Sequence, residues 1–442
     1  MAKTPRELAY HILLTAERDK QRFIDEALNK ALDSSPLKQA EKSWITELVY
    51  GVTRMKFQLD TYIEKLYRGR YKKAQHSIKT LLRMGAYQLM HMRTQTHAAI
   101  NETVELARKT GNQTSASLVN AILRMLGSDA TRDTLATIQD PLKILAVEYS
   151  LPEWMIHRWS RRLEASQVEA LCQWNNSIPN HWVRYNLSQI TDSEFENFLS
   201  EQKVNYTRSD VLSQFYRLDS LARVLQSEEF RKGWFSVQNI AAGLVASLIE
   251  PEEGDIIIDA CAAPGGKSAY IMEKHGDRIR SFYAFDLSAH RIGLLKDTLQ
   301  RLKLTKVRTE MLDAAVDDLP MANKILIDVP CTGTGVLNRR PDARWKKSES
   351  DLLALNEIQA AIFKNAWKHL LPDGYLIYAT CSLEPEENWQ LIDSVIDDLD
   401  GARIVPVTDE KLQAFIDERG ALATLPWVHN MDGMFSVGIK KI

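Results

Sequence analysis

Six residues of two kinds fall at matching places in the C-terminal half of the sequence. Asp259, Asp286, Asp313 and Asp328 each close or follow a short strand-prone run, and Cys331 and Cys381 follow two of those runs. Asp259 leads straight into Ala260-Cys261-Ala262-Ala263-Pro264-Gly265-Gly266-Lys267 and then into a helical pattern. Small residues and two glycines let a backbone approach a ligand closely at the carboxyl end of a strand. The stretch is neither G-x-G-x-x-G nor the G-K-[ST] phosphate loop, so a dinucleotide or a nucleoside triphosphate is not indicated. Asp286 stands 27 positions after Asp259, where an acid suits hydrogen bonds to the two hydroxyls of a ribose. A nucleoside without a triphosphate tail fits best, and S-adenosylmethionine is the commonest such cofactor.

The elements that must position these residues are legible around them. GDIIIDA, RSFYAFD, KVRTEML, NKILIDVP and GYLIYATC are short runs rich in β-branched and aromatic residues, separated by helical stretches such as AHRIGLLKDTLQRL and DLLALNEIQAAIFKNAWKHL. This alternation predicts an α/β domain over residues 233–442, a parallel sheet covered by helices on both faces. The last run, GMFSVGIKK, suits an edge of that sheet. In such a fold the four acids and two cysteines converge on one edge, where ligands bind in open α/β sheets.

Residues 1–140 read differently. Apolar residues recur at three-to-four spacing from residue 5 to 128, including one run over KSWITELVYGVTRMKFQLDTYIEKLY, so an all-α domain is expected. Between Lys65 and Ile100 it carries Lys65, Arg68, Arg70, Lys72, Lys73, Lys79, Arg83 and Arg93 without an acid, interleaved with Tyr67, Tyr71 and Tyr87. Such a face could grip phosphates and stack bases. Residues 141–232 alternate helical and strand-like runs, a small α+β linking module whose role, RNA surface or spacer, stays open.

The chain has 442 residues, 45% of them apolar and 26% charged, which excludes a mostly disordered or collagen-like chain. A formal charge of −2 taken alone disfavours a nucleic-acid partner, but it is unevenly spread: +7 over residues 1–140, −1 over 141–240 and −8 over 241–442. A basic N-terminal third suggests nucleic-acid contact. No apolar run resembles a signal peptide or approaches the roughly 18 residues of a membrane helix. The four cysteines form no C-x-x-C pair, so neither a disulfide framework nor a zinc site is indicated. A cytoplasmic, monomeric protein without metal or membrane is expected.

DACAAPGGK, DVPCTGTG and ATCSLEPEEN resemble, in order, the signature blocks of RNA (cytosine-5) methyltransferases. The segment HAAINETVELARKTGNQTSASLVNAILRML, with RMGAYQLMHM before it, is similar to the NusB family of small helical RNA-binding proteins. The two together resemble the Sun/Fmu type. The resemblance implies an all-α NusB-like domain, the linking module and a Rossmann-like methyltransferase domain acting on small-subunit ribosomal RNA. It further implies that Cys381 is the nucleophile and Cys331 assists product release. Cys261, Ala262, Ala263, Pro264, Gly265, Gly266, Lys267, Asp286, Asp313 and Asp328 would contact S-adenosylmethionine, with Asp328 also touching the target base.

Two cysteines make chemical sense for that family. Carbon 5 of cytosine is a poor nucleophile, so a thiolate must first add to carbon 6, and a base must later remove the proton from carbon 5 so that elimination frees the thiol. A thiol is mostly protonated near neutrality, and Lys267 with nearby amides could favour the thiolate. The stretch Asn338–Lys347, with five basic residues and Trp345, looks like a contact for substrate RNA. Cys172 and Cys261 suit packing. Three positions depart from the family: Asn239 stands where an acid is frequent, and Val329 and Thr332 replace alanine and serine. Competing readings are the same chemistry on transfer RNA or another ribosomal site, and a non-catalytic RNA-binding or antitermination factor.

Overall fold

The computed structural model describes residues 4–19, 23–128 and 135–442. The chain divides into two compact units, Met1–Ser177 with Leu337–Ser348, and Ile178–Val336 with Glu349–Ile442.

Among the described residues the first unit is helical throughout. Its opening helix, Pro5–Arg18, starts on a capping box in which Thr4 accepts from the Glu7 amide and Glu7 accepts from the Thr4 amide, and it buries Ala9, Tyr10, Ile12 and Leu13 on one face. The apolar pattern across residues 42–67 does not form one helix. It breaks at Met55 into Gln39–Arg54 and Lys56–Leu66. The Ser150 hydroxyl accepts from the amides of Phe57 and Gln58 at 3.0 and 3.3 Å, so the cap of the second helix comes from a distant residue. Helices Pro141–Glu148, Glu153–Ser160 and Ala165–Asn176 also belong to this unit.

Two expectations are corrected here. The basic stretch is not one continuous face. Arg83 is buried, with its guanidinium bidentate on Asp60 at 2.6 and 2.7 Å, Tyr71 is buried with its hydroxyl donating to Asp60, and Tyr87 is buried with its hydroxyl donating to Glu47. Acids from neighbouring helices claim these groups, as burial of a charge requires. Lys65, Arg68, Arg70, Lys72 and Lys73 stay exposed on a short strap.

The second correction concerns residues 338–347, which pack into the helical unit. Arg344 is 0% exposed and donates to the carbonyls of Ser150 (3.1 Å) and Asn175 (2.8 Å) and to Asn176 Oδ1 (3.0 Å). The Trp345 indole donates to Thr53 O, and Asp342 accepts from the Ile24 amide while pairing with Lys346. Arg340 and Lys346 lie over the Phe23 ring. The basic residues expected to meet RNA here largely serve the unit's own interior and its helix ends.

The second unit holds two sheets. The smaller is antiparallel, in the order β2 (Tyr206–Arg208), β3 (Phe215–Leu218), β1 (His181–Tyr185), β4 (Phe235–Val237). One face packs on the Asp192–Glu201 helix through Phe195 and Phe198. From the other, Arg184 reaches Glu273 at 3.0 Å and Phe215 meets Tyr270 edge-on.

The larger sheet contains β5 (Asp255–Asp259), β6 (Ile279–Asp286), β7 (Val307–Met311), β8 (Ala322–Asp328), β9 (Leu370–Thr380), β10 (Ala402–Val405), β11 (Leu422–Thr424) and β12 (Met434–Lys441). Its order is β10-β12-β9-β8-β5-β6-β7, with β11 pairing on β12. The five strands β7, β6, β5, β8 and β9 are mutually parallel. The final strand is not at the edge: β12 runs antiparallel between β9 and β10. Its first six residues are buried, the continuous apolar signature of a strand covered on both faces. Helices Gly266–His275, Ala289–Arg301, Glu349–Lys368 and Trp389–Ile396 separate the strands in the sequence. Among the described residues no helix is long and apolar enough to cross a membrane.

Candidate active site

Strand β5 delivers Asp259 and the loop Cys261–Lys267 at the carboxyl edge of the sheet, and the Gly266–His275 helix carries the chain away. The loop is pinned to the neighbouring strand: Ala262 N donates to Phe285 O at 2.8 Å, and Ala263 N donates to Asp286 Oδ2 at 3.1 Å. Gly265 sits at φ +101°, and a Cβ there would lie 2.7 Å from Leu295 Cδ1, so both conformation and space demand glycine. Asp286, at the end of β6, is buried and also pairs with Arg291 at 3.2 Å. Burial pushes Asp259 up to about 7, against the Ser268 hydroxyl that donates to it at 2.6 Å and the charge of Lys267.

Lys267 turns to Asp328 Oδ2 at 2.5 Å. Burial pulls the Lys267 ammonium down, but Asp328, Asp259 and the Cys381 sulfur overcome that and leave it raised. Asp313 follows β7 by two residues and closes a turn, its amide donating to Asp317 and its Oδ1 accepting from Ala315 N. All four acids stand after parallel strands, at the same edge.

The two cysteine loops meet there. Cys331 follows β8 and Cys381 follows β9, and their sulfurs are 3.2 Å apart. Thr332 and Thr334 lie 3.1 and 3.3 Å from the Ser382 hydroxyl, Thr334 Oγ1 accepts from Leu383 N, and Gly335 N donates to Cys381 O. A Cβ on Gly335 would stand 2.3 Å from Gly433 O and 2.9 Å from Cys381 O, which is why the Pro-Cys block runs on into Thr-Gly-Thr-Gly. The Cys331 thiol is pushed well up by its hydrogen bond with Cys381, by burial and by the nearby charges of Glu387 and Asp328. Cys261 is partly buried against the core and likewise held up by burial and by Asp259, Asp328 and Asp286. Cys172 is buried in the helical unit and burial pushes it up to about 12.

Other residues belong to this neighbourhood without having been singled out from the sequence. Gln238 is 7% exposed, lies beside Gly266 at the start of the Gly266–His275 helix, and neither atom of its amide has a partner among the described residues. A buried amide beside uncapped helix amides is equipped to meet a polar ligand. Next to it Asn239 caps the Ile240–Ser247 helix by accepting from Ala241 N, a role an acid would fill equally. Glu387, Asn388 and Gln359 surround the cysteine loops. The block ATCSLEPEEN is readable in sequence, but which loop each of its side chains grips is not.

The donor set suits a nucleoside cofactor with a charged tail. It combines a glycine-bearing loop, a strand-end carboxylate, a free buried amide and an uncapped helix start. Among the described residues no group of three or more His, Cys, Asp or Glu is placed to hold a metal.

Comparisons with known proteins agree with this architecture. The family described as 16S rRNA methyltransferase RsmB/F matches residues 246–440, the NusB family residues 3–127, and the ferredoxin-like domain of Methyltr_RsmF/B-like proteins residues 151–224. A probable ribosomal RNA small subunit methyltransferase B of Synechocystis sp. is 32% identical over 99% of both chains, and one of Bacillus subtilis is 30% identical over 100% of both. The crystal structure of PH0851 superposes with a TM-score of 0.85 at 20% identity, covering 100% of each chain.

Proposed function

The chain belongs to the ribosomal RNA small subunit methyltransferase B family, and on that premise we propose that it methylates carbon 5 of a cytosine in 16S ribosomal RNA through a covalent adduct on Cys381. It is an S-adenosylmethionine-dependent RNA methyltransferase. The observation that carries the finer reading is the 3.2 Å approach of two thiols, Cys331 and Cys381, at the sheet edge that bears the cofactor loop. In this reading residues 1–140 grip RNA, 233–442 perform the chemistry, and 141–232 link them.

The residues that would hold the cofactor are the loop Cys261–Lys267, Asp286 for the ribose, and Asp313 and Asp328 further along the edge. When bound, S-adenosylmethionine supplies an electrophilic methyl group on a sulfonium centre. Cys381 adds to carbon 6 of the cytosine, forming a carbon–sulfur bond and making carbon 5 nucleophilic. Before attack, the Cys331 thiol stands 3.2 Å from the Cys381 sulfur as its hydrogen-bond partner. After methyl transfer Cys331 takes the proton from carbon 5 and passes its own to the departing Cys381 sulfur, so the carbon–sulfur bond breaks and the double bond between carbons 5 and 6 re-forms. Cys381 ends as a thiol that gives up the proton to solvent before the next turnover. The target base must leave any stack to reach these thiols.

The decisive experiment incubates the protein with methyl-labelled S-adenosylmethionine and unmodified 16S RNA, then maps the label. Label on carbon 5 of one cytosine is expected, and absence of transfer to RNA would sink the reading. For the cofactor, Asp286→Asn is expected to weaken S-adenosylhomocysteine binding by about 10–100-fold in calorimetry, the scale of one or two lost charge-assisted hydrogen bonds. For the RNA grip, Lys72→Ala with Lys73→Ala should lower the slope of log affinity against log salt by about 1–2, as expected for two lost phosphate contacts. An unchanged slope would remove the strap from the RNA surface.

A further inference from the structure

Both cysteine loops are tied to one turn. After Cys381 the chain forms the 3-10 turn Pro385–Glu387 and continues through Asn388 into the Trp389–Ile396 helix. Glu387 is fully buried, and its carboxylate accepts from Thr332 twice, from the amide at 2.8 Å and from the hydroxyl. Gln359, on the Glu349–Lys368 helix, donates to both Glu387 Oε1 and Pro330 O at 2.9 Å. The two neighbours of Cys331 in the chain, Pro330 and Thr332, are therefore held through Glu387 and Gln359. Asn388 does the same for the other loop, accepting from the Thr380 hydroxyl at 2.7 Å and donating to Ser382 O at 3.0 Å, one residue either side of Cys381. The Tyr378 hydroxyl donates to Glu387 O at 2.6 Å and fixes the turn to β9.

We propose that Glu387 and Asn388 are paired positioning residues, one for each cysteine. The proposal rests on the assignment of Cys381 and Cys331 above. Two adjacent side chains that grip residues flanking two different thiols form a rigid ruler between the sulfurs, and near-attack geometry tolerates little error. Glu387 bonds the residue that follows Cys331, and Asn388 bonds the residues on both sides of Cys381.

The test uses the full chain and reads kcat, KM and the amount of covalent protein–RNA adduct on a denaturing gel. Glu387→Gln keeps the shape but exchanges an acceptor for a donor. It is expected to lower kcat about 10–100-fold, the scale of a misplaced reacting group, with adduct accumulating and with KM for RNA and S-adenosylhomocysteine affinity within about twofold. Asn388→Ala should lower kcat similarly without accumulating adduct. Thr332→Val, which removes only the hydroxyl donor, should lower kcat and accumulate adduct as Glu387→Gln does. This variant keeps the proposal testable should Glu387→Gln not fold.

An unchanged kcat in Glu387→Gln would overturn the proposal, as would an unchanged kcat in Thr332→Val. Those outcomes differ from failure of the underlying assignment, which would show as Cys381→Ala retaining transfer.

Discussion

Alanine at position 381 is expected to reduce methyl transfer by about 10⁴-fold or more, the scale seen when a nucleophile is removed from a concerted constellation. Without Cys381 no group stands ready to bond carbon 6, and carbon 5 stays too weak a nucleophile to react. Alanine at 331 is expected to act differently. The adduct on Cys381 still forms, but its breakdown stalls, because the group poised 3.2 Å from that sulfur is gone. A protein–RNA species of retarded mobility should accumulate on a denaturing gel with Cys331→Ala and be missing with Cys381→Ala. The reverse pattern would exchange the two roles. The loops are laced by Thr332, Thr334 and Ser382, so neither substitution, each removing one sulfur, should disturb folding.

The second large effect lies away from the chemistry. Arg344→Met is expected to destabilise the protein by about 3 kcal/mol, since a methionine fills much of the space but leaves buried carbonyl acceptors without donors. The acceptors are Ser150 O, Asn175 O and Asn176 Oδ1, two of them on the final residues of the Ala165–Asn176 helix, where a cation is favoured. A fall in Tm of roughly 5–12 °C in scanning calorimetry would match. The measurement also decides between two views of the segment. Were Arg344 a phosphate contact, Tm would hold and the salt slope of RNA binding would drop by about one. Here the slope is expected to hold and Tm to fall.

What could be read in advance follows the range of the interactions involved. The strands that end at Asp259, Asp286 and Asp328 were legible because burial on both faces writes continuous apolar runs into the local sequence. The loop Cys261–Lys267 was legible as a tight strand-to-helix turn because its glycines and small residues lie close together in the sequence. Arg83 and Arg344 were misread for the opposite reason. A guanidinium looks the same in a string whether it meets phosphate, Asp60 or a helix end, and its partners here lie 23 and about 170 residues away. Strand β12 suffered likewise, since order in a sheet is set by pairing and not by order in the chain. The break at Met55 depends on a hydroxyl at Ser150 that no local pattern announces. Glu387 and Asn388 sat inside a quoted block, yet only the folded chain shows that one reaches toward Cys331 and the other toward Cys381.

The packing of Leu337–Ser348 among the N-terminal helices bears on how such a protein can be taken apart or assembled. Helices at the start of a chain are ordinarily removable by a single cut, and a domain fused at one end can be gained or lost in one event. Here the chain leaves its second unit after Val336 and re-enters it at Glu349, so a fragment beginning at Ile178 would carry Arg344, buried in the intact protein, without its partners Ser150, Asn175 and Asn176. A catalytic half living without these helices would need that stretch rewritten, polar where it is now apolar and shorter where it now reaches. The helical portion is thus inherited in two pieces, and the smaller piece lies inside the gene for the enzyme's own chemistry.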